Sequence, residues 1–248
     1  MKKPLIDEVA DATVRIECLN SRGSGFHFLR PEIIVTNHHV VEGAETAGGP
    51  LVVAVTEDGQ RLPLHLLAHS PKDREDFAIF RVTCKVPDGR YPLRPKALQP
   101  VPRGTHVLFG GFPHGIADLL VHHASVAGPL SPGAFYLEAS VNGGNSGGPI
   151  VDVTDGTVIG IVTQRRFLGT TDLEALAAAA EKLRDHCQAI AGRGGVQIMG
   201  IDFGKFSHLM AEGMLLVRQT LEANANTGIG IGFSIAFVSR ECENLRIV

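Results

Sequence analysis

The chain has 248 residues, 44% hydrophobic and 20% charged, with 29 glycines, no tryptophan and a formal net charge of −3. That length and composition describe a globular protein able to bury a sizeable core. The near-neutral charge gives no basic footprint for nucleic acid or an anionic membrane, and no apolar stretch is long enough to span a bilayer.

The opening segment, MKKPLIDEVADATVRIEC, has two lysines with no apolar run behind them, which does not match a secretory signal. Cys18, Cys84, Cys187 and Cys242 are scattered and form no CxxC pair. They read as reduced thiols, so the expected location is the cytoplasm.

Strands are expected at 10–18, 24–29 and 32–36, the last two parted by an Arg30-Pro31 turn. Segment 51–56 leads into a Glu57-Asp58-Gly59-Gln60 hairpin turn, and 61–69 and 76–83 are further strands. Residues 87–103 hold five prolines and read as a linker between two β-lobes. Short strands follow at 104–112, 119–127, 133–140, 148–153 and 157–163, a spacing that indicates barrels or sandwiches.

The pattern then changes. Leu173, Leu176, Ala180, Leu183, Cys187 and Ile190 recur at alternating spacings of three and four, one stripe of a helix. Thr171-Asp172-Leu173-Glu174 fits a capping box at its start, and Gly192 lies just past its end. A second helix is expected from Ser207 to about Ala223, with Met210, Met214, Val217 and Leu221 on one face. Segment 228–238 returns to strand character. A helical segment, about 165–227, is therefore expected between two strands of the second lobe.

The sharpest chemical feature is Asn142-Gly143-Gly144-Asn145-Ser146-Gly147-Gly148-Pro149. Amide hydrolysis needs a nucleophile on a tightly turned backbone whose N–H groups can face an oxyanion, and flanking glycines permit that turn. A plain glycine-rich turn between strands would look similar. A serine also needs a base, and the base an orienting carboxylate. Thr36-Asn37-His38-His39-Val40-Val41 puts two histidines at a strand end, and Glu75-Asp76-Phe77-Ala78-Ile79-Phe80 puts Asp76 at a strand start.

These segments resemble the trypsin-like serine proteases, and most of all their HtrA/Deg branch. Thr36 to Val41 resembles the T-N-x-H-V-V segment, which assigns the base to His39 over His38. Asp76-Phe77-Ala78-Ile79 resembles D-[LIV]-A-[LIV], which favours Asp76 over Asp73. Gly144 to Pro149 matches G-N-S-G-G-P. Segments 21–27, 105–115 and 230–235 agree with lesser strands of that branch, so the resemblance covers about 10–163 and 228–238. The order His, Asp, Ser is also the family's.

The resemblance implies an all-β fold of two packed six-stranded antiparallel β-barrels. The N-terminal lobe, 1–88, would carry His39 and Asp76, and 89–103 would be the linker. The C-terminal lobe, 104–248, would carry Ser146 and the helical insertion. It implies a serine endopeptidase acting on protein or peptide substrates through an acyl-enzyme, with the N–H groups of Gly144 and Ser146 as oxyanion hole. No cofactor or metal is implied; there is no HExxH, and the adjacent His122 and His123 would face opposite sides of a strand. Asn145 replaces the aspartate of digestive members, so activation by an N-terminal ion pair is not expected. Ser140 stands where trypsin has aspartate. With Ile161, Val162, Thr163 and Gly230 as pocket walls, a small or medium aliphatic residue before the cut bond is expected. The insertion is read as a lid, a docking surface for an activating protein or a self-association contact, or equally as a hairpin that only packs.

Two other readings compete. A trypsin-like barrel can be a binding module whose triad is never aligned. Gly144 to Gly148 also satisfies the G-x-S-x-G of α/β-hydrolases, but Pro149 and a strand follow where that fold needs a helix, and its histidine should come last.

Overall fold

Glu32-Ile33-Ile34-Val35-Thr36 carries apolar side chains at successive positions, which a strand can bury only if both of its faces are covered. The computed structural model shows how this is met. It describes residues 3–19, 21–46, 48–49, 51–71, 73–96, 101–113, 116–131, 133–165, 171–192, 197–198, 201–224 and 228–247, without the side chains of 164–165, 171–177, 198, 201 and 218–224.

Helix α1 (Leu5–Ala12) precedes β1 (Thr13–Cys18), β2 (Ser21–Phe28), β3 (Arg30–Thr36), β4 (Val52–Val55), β5 (Arg61–Ser70) and β6 (Phe77–Val82). These six strands close as an antiparallel barrel in the order β1-β2-β3-β6-β5-β4. Strands β7 (His106–Gly111), β8 (Leu120–Ser131), β9 (Ala134–Glu138), β10 (Pro149–Asp152), β11 (Val158–Arg165) and β14 (Ile229–Ser234) close a second, in the order β10-β11-β14-β9-β8-β7. This is the double β-barrel of the chymotrypsin-like fold.

Each barrel has its own interior, and a third core fills the seam between them. Ile34 points into the first barrel with Val14, Ile16 and Phe80, while Ile33 and Val35 point into the seam with Phe26, Phe28, Leu108 and Val151. That division explains the unbroken apolar run of β3. Full burial of a side chain such as Phe26 or Phe28 contributes about 1.5–3 kcal/mol.

Two helices depart from the expected strands. Residues 10–12 end α1, whose Val9 and Ala12 seal one end of the seam. Residues 236–238 open α4 (Ala236–Asn244), which buries Val238 and Cys242 in the same seam. The proline-rich segment is more than a tether. Leu93 is fully buried and exchanges backbone hydrogen bonds with His27 and Leu29, while Arg94 and Lys96 pair with Val158 of the second barrel. Lys96 also reaches Asp152 and Asp155 at 2.6 and 2.9 Å. Residues 97–100 lie outside the described set.

The chain divides into two compact units, 1–166 with 228–248, and 167–227. The second unit holds α2 (Thr171–Ala191), the short strands β12 (Gln197–Ile198) and β13 (Ile201–Asp202), and α3 (Phe203–Asn224). Ala180 and Cys187 of α2 and Ser207 and Ala211 of α3 are buried. Leu183, placed on the buried stripe from its spacing, is 44% exposed. The side chains of Thr171, Leu173, Leu176 and Leu221 lie outside the described residues. Among the described residues no helix is long and apolar enough to cross a membrane.

Candidate active site

The site lies where the two barrels meet. Strand β3 ends at Thr36, and a single 3₁₀ turn (His38–Val40) presents His39. The turn between β5 and β6 presents Asp76, which is fully buried. Oδ2 of Asp76 lies 2.7 Å from His39 Nδ1, and Oδ1 accepts the His39 backbone N–H at 3.1 Å. The Thr163 hydroxyl donates to Oδ2 at 2.8 Å, and Asn37 Nδ2 donates to the Asp76 carbonyl at 2.7 Å. A buried carboxylate needs such donors, because unpaired burial of the charge would be prohibitive. The same contacts fix the imidazole so that its Nε2 is left for chemistry.

The neighbouring histidines are placed differently. His38 has its Nε2 3.3 Å from Glu45 and its ring stacked on His69, with centroids 4.7 Å apart. His27 is fully buried against the Pro31 carbonyl, and burial pushes it down to about 4, so it stays neutral. Asp73, the rejected alternative to Asp76, is exposed.

Ser146 comes from the loop between β9 and β10. The backbone N–H groups of Asn145, Gly147 and Gly148 donate to Asn142, Val162 and Asn145. Those of Gly144 and Ser146 have no acceptor among the described residues. Two unpaired donors beside a hydroxyl are what a developing oxyanion requires. Gly144 adopts φ +97°, a left-handed conformation that glycine takes without strain, and its carbonyl is held by Ser24 Oγ at 2.7 Å. The Ser146 hydroxyl itself donates to the Thr163 carbonyl at 3.0 Å, and no hydrogen bond joins it to His39. The hydroxyl thus rests on the Thr163 carbonyl.

Gly147 shows why the loop needs glycine on its far side. Its φ is +90°, and a Cβ there would lie 2.0 Å from the Ser24 carbonyl oxygen and 2.3 Å from Thr36 Oγ1. Gly147→Ala is expected to destabilise the fold by more than about 3 kcal/mol through this clash and the left-handed backbone. Thermal unfolding with circular dichroism detects this, and an unchanged midpoint would contradict it.

The expected pocket residues are only partly brought together. Ile161 is buried in the seam and Val162 in the second barrel, because alternate side chains of β11 face two different cores. Both side chains are enclosed in those cores. Ser140 is exposed on a tight turn closed by the Val141 N–H and Ala139 carbonyl. Val141, not singled out in the sequence, is buried with its methyls against Gly230, where a Cβ would come within 2.4 Å. Thr163 touches both ends of the site, through its hydroxyl to Asp76 and its carbonyl to Ser146. An irregular register between Val162 and Gln164 opposite β14 accompanies that position. Asn145 is fully buried, and its amide has no hydrogen-bond partner among the described residues. No group of three or more His, Cys, Asp and Glu side chains among the described residues is placed to hold a metal ion.

Comparison with known proteins gives the family and the fold. Residues 23–161 match the family model of the trypsin-like peptidase domain. The chain is 33% identical over 169 residues to the Sinorhizobium fredii protein y4bJ, covering 65% of this chain and 24% of that one. It is 31% identical over 149 residues to a probable periplasmic DegP-like serine endoprotease of Brucella suis, covering 58% and 27%. It therefore spans about a quarter of the length of these curated relatives. Among solved structures, the Rv3671c protease of M. tuberculosis in its inactive form superposes with a TM-score of 0.54 at 26% identity, over 67% of this chain and 83% of that one.

Proposed function

The chain belongs to the trypsin-like peptidase family, and from that premise we propose that it is a serine endopeptidase cleaving protein or peptide substrates through an acyl-enzyme. One observation carries the reading: an oriented His39–Asp76 pair beside a serine flanked by two unpaired N–H groups. Ser146 Oγ turns from the Thr163 carbonyl to His39 Nε2, gives up its proton and attacks the scissile carbonyl. The N–H groups of Gly144 and Ser146 receive the oxyanion. His39 then protonates the leaving amine, and water, activated by the same imidazole, releases the acyl group. The test is intact-mass and peptide mapping after treatment with a fluorophosphonate, together with digestion of an unfolded protein. A single adduct on Ser146 and internal cleavage products support the proposal. An adduct elsewhere, or none under conditions of cleavage, overturns it.

Ser140 is exposed and uncharged, which supports a small or medium aliphatic residue over arginine or lysine before the cut bond.

The insertion supports a regulatory reading. Helix α3 exposes Phe206, Leu209, Leu216 and Val217, apolar surface suited to an activating protein or a second copy. The resting Ser146 hydroxyl fits an enzyme awaiting such a signal. The DegP-like relative is described as periplasmic. All four cysteines are unpaired here, which supports the cytoplasmic reading for this chain.

A further inference from the structure

Asp76 has a backbone φ of +47°. The left-handed region costs an L-residue about 1–2 kcal/mol, and a residue stays there only when its surroundings hold it. The downstream side is held by Asn37, which donates to the Asp76 carbonyl. The upstream side belongs to the turn joining β5 to β6. Ser70 and Phe77 pair across the base of this turn. The N–H groups of Arg74 and Asp76 both donate to the Pro71 carbonyl, at 3.0 and 3.2 Å.

Within that frame, the buried Ser70 hydroxyl donates to the Glu75 carboxylate, and the Glu75 N–H donates back to the same hydroxyl at 3.4 Å. The two residues close a ring across the turn. The peptide that leaves this ring is the one whose nitrogen belongs to Asp76. We propose that Ser70 and Glu75 form a clamp that positions Asp76, and through it His39, for the hydrolysis proposed above. The inference rests on that reading of the site, but the clamp is a feature of the backbone geometry in its own right.

Glu75 is half-buried and lines two open cavities, of about 640 and 350 Å³, whose linings also share Phe237 and Arg240. Shortening it therefore leaves no sealed void. A hydrogen bond between a hydroxyl and a carboxylate is stronger than a neutral one, so the ring is suited to bear strain. Its output is geometric. Asp76 Oδ2 sits 2.7 Å from His39 Nδ1, and displacements of an ångström or less at such a contact cost up to about 10²-fold in rate.

The test compares Ser70→Ala, Glu75→Ala, the double variant and Glu75→Gln, which keeps an acceptor for the Ser70 hydroxyl. The clamp predicts that either alanine lowers kcat about tenfold with KM unchanged. It also predicts that the double variant is no slower than the single ones, and that Glu75→Gln recovers most of the rate. The downfield proton signal of the His39–Asp76 hydrogen bond should weaken in both alanine variants and persist in Glu75→Gln. Alanine variants that keep wild-type kcat and signal would overturn the clamp. So would losses that merely follow the fall in melting temperature or add in the double variant. If the wild type itself neither cleaves nor labels at Ser146, the peptidase reading fails, and the proton signal still decides for or against the clamp.

Discussion

Replacing Ser146 with alanine is expected to lower kcat by about 10⁶-fold while the protein keeps its fold. The hydroxyl makes one hydrogen bond, to the Thr163 carbonyl, so its loss costs stability by only about 0.5–1.5 kcal/mol. The backbone contacts that shape the loop do not involve the side chain. Ser24 N–H still donates to the Ser146 carbonyl at 2.7 Å, and Gly147 N–H to Val162. The unpaired N–H groups of Gly144 and Ser146 also remain, so a trace of hydrolysis above the uncatalysed rate should persist. Steady-state assays paired with a melting curve check both halves. Retention of more than a thousandth of the rate would mean that another group supplies the nucleophile.

Asp76→Asn should follow with a loss of about 10⁴-fold in kcat, the size expected when a triad carboxylate becomes an amide. The carboxylate accepts from the His39 backbone N–H, from His39 Nδ1 and from the Thr163 hydroxyl. An amide offers one oxygen to these three donors. If the oxygen serves the His39 backbone, the NH₂ group faces the ring nitrogen and selects the tautomer with its proton on Nε2, which cannot act as a base. If it serves the ring, the amide NH₂ meets the backbone N–H. Either way one buried donor is left unpaired, and stability falls by about 1–3 kcal/mol. A variant with near wild-type kcat would show that His39 is oriented by something other than Asp76.

The parts of the structure that were legible in the sequence are those set by local chemistry. Short apolar runs between turn residues mark the strands, and Gly147 and Gly148 mark a loop pressed against other backbone. What was not legible depends on contacts between distant segments. Helix α1 has its buried Val9 and Ala12 at helical spacing, but only eight residues, and its last turn merges with the alternation of β1. Helix α4 follows a strand whose apolar character runs on through Ala236, Phe237 and Val238, so no break announces it. Val141 and Gly230 meet across 89 positions of chain, and Thr163 reaches Asp76 across 87. The burial of Ile161 follows from the seam, which exists only once the barrels are paired.

The insertion departs from β11 after Arg165 and returns in β14, and Arg165 is paired with Gly230. Hydrogen-bonded strands are about 4.8 Å apart. To the second barrel, the whole segment between these paired residues is therefore a hairpin connection of unusual length. Closing a longer loop adds only about 0.6 kcal/mol per doubling. The barrel is thus almost indifferent to what fills this gap. The connection can therefore be exchanged for one of very different size without redesign of the strands themselves.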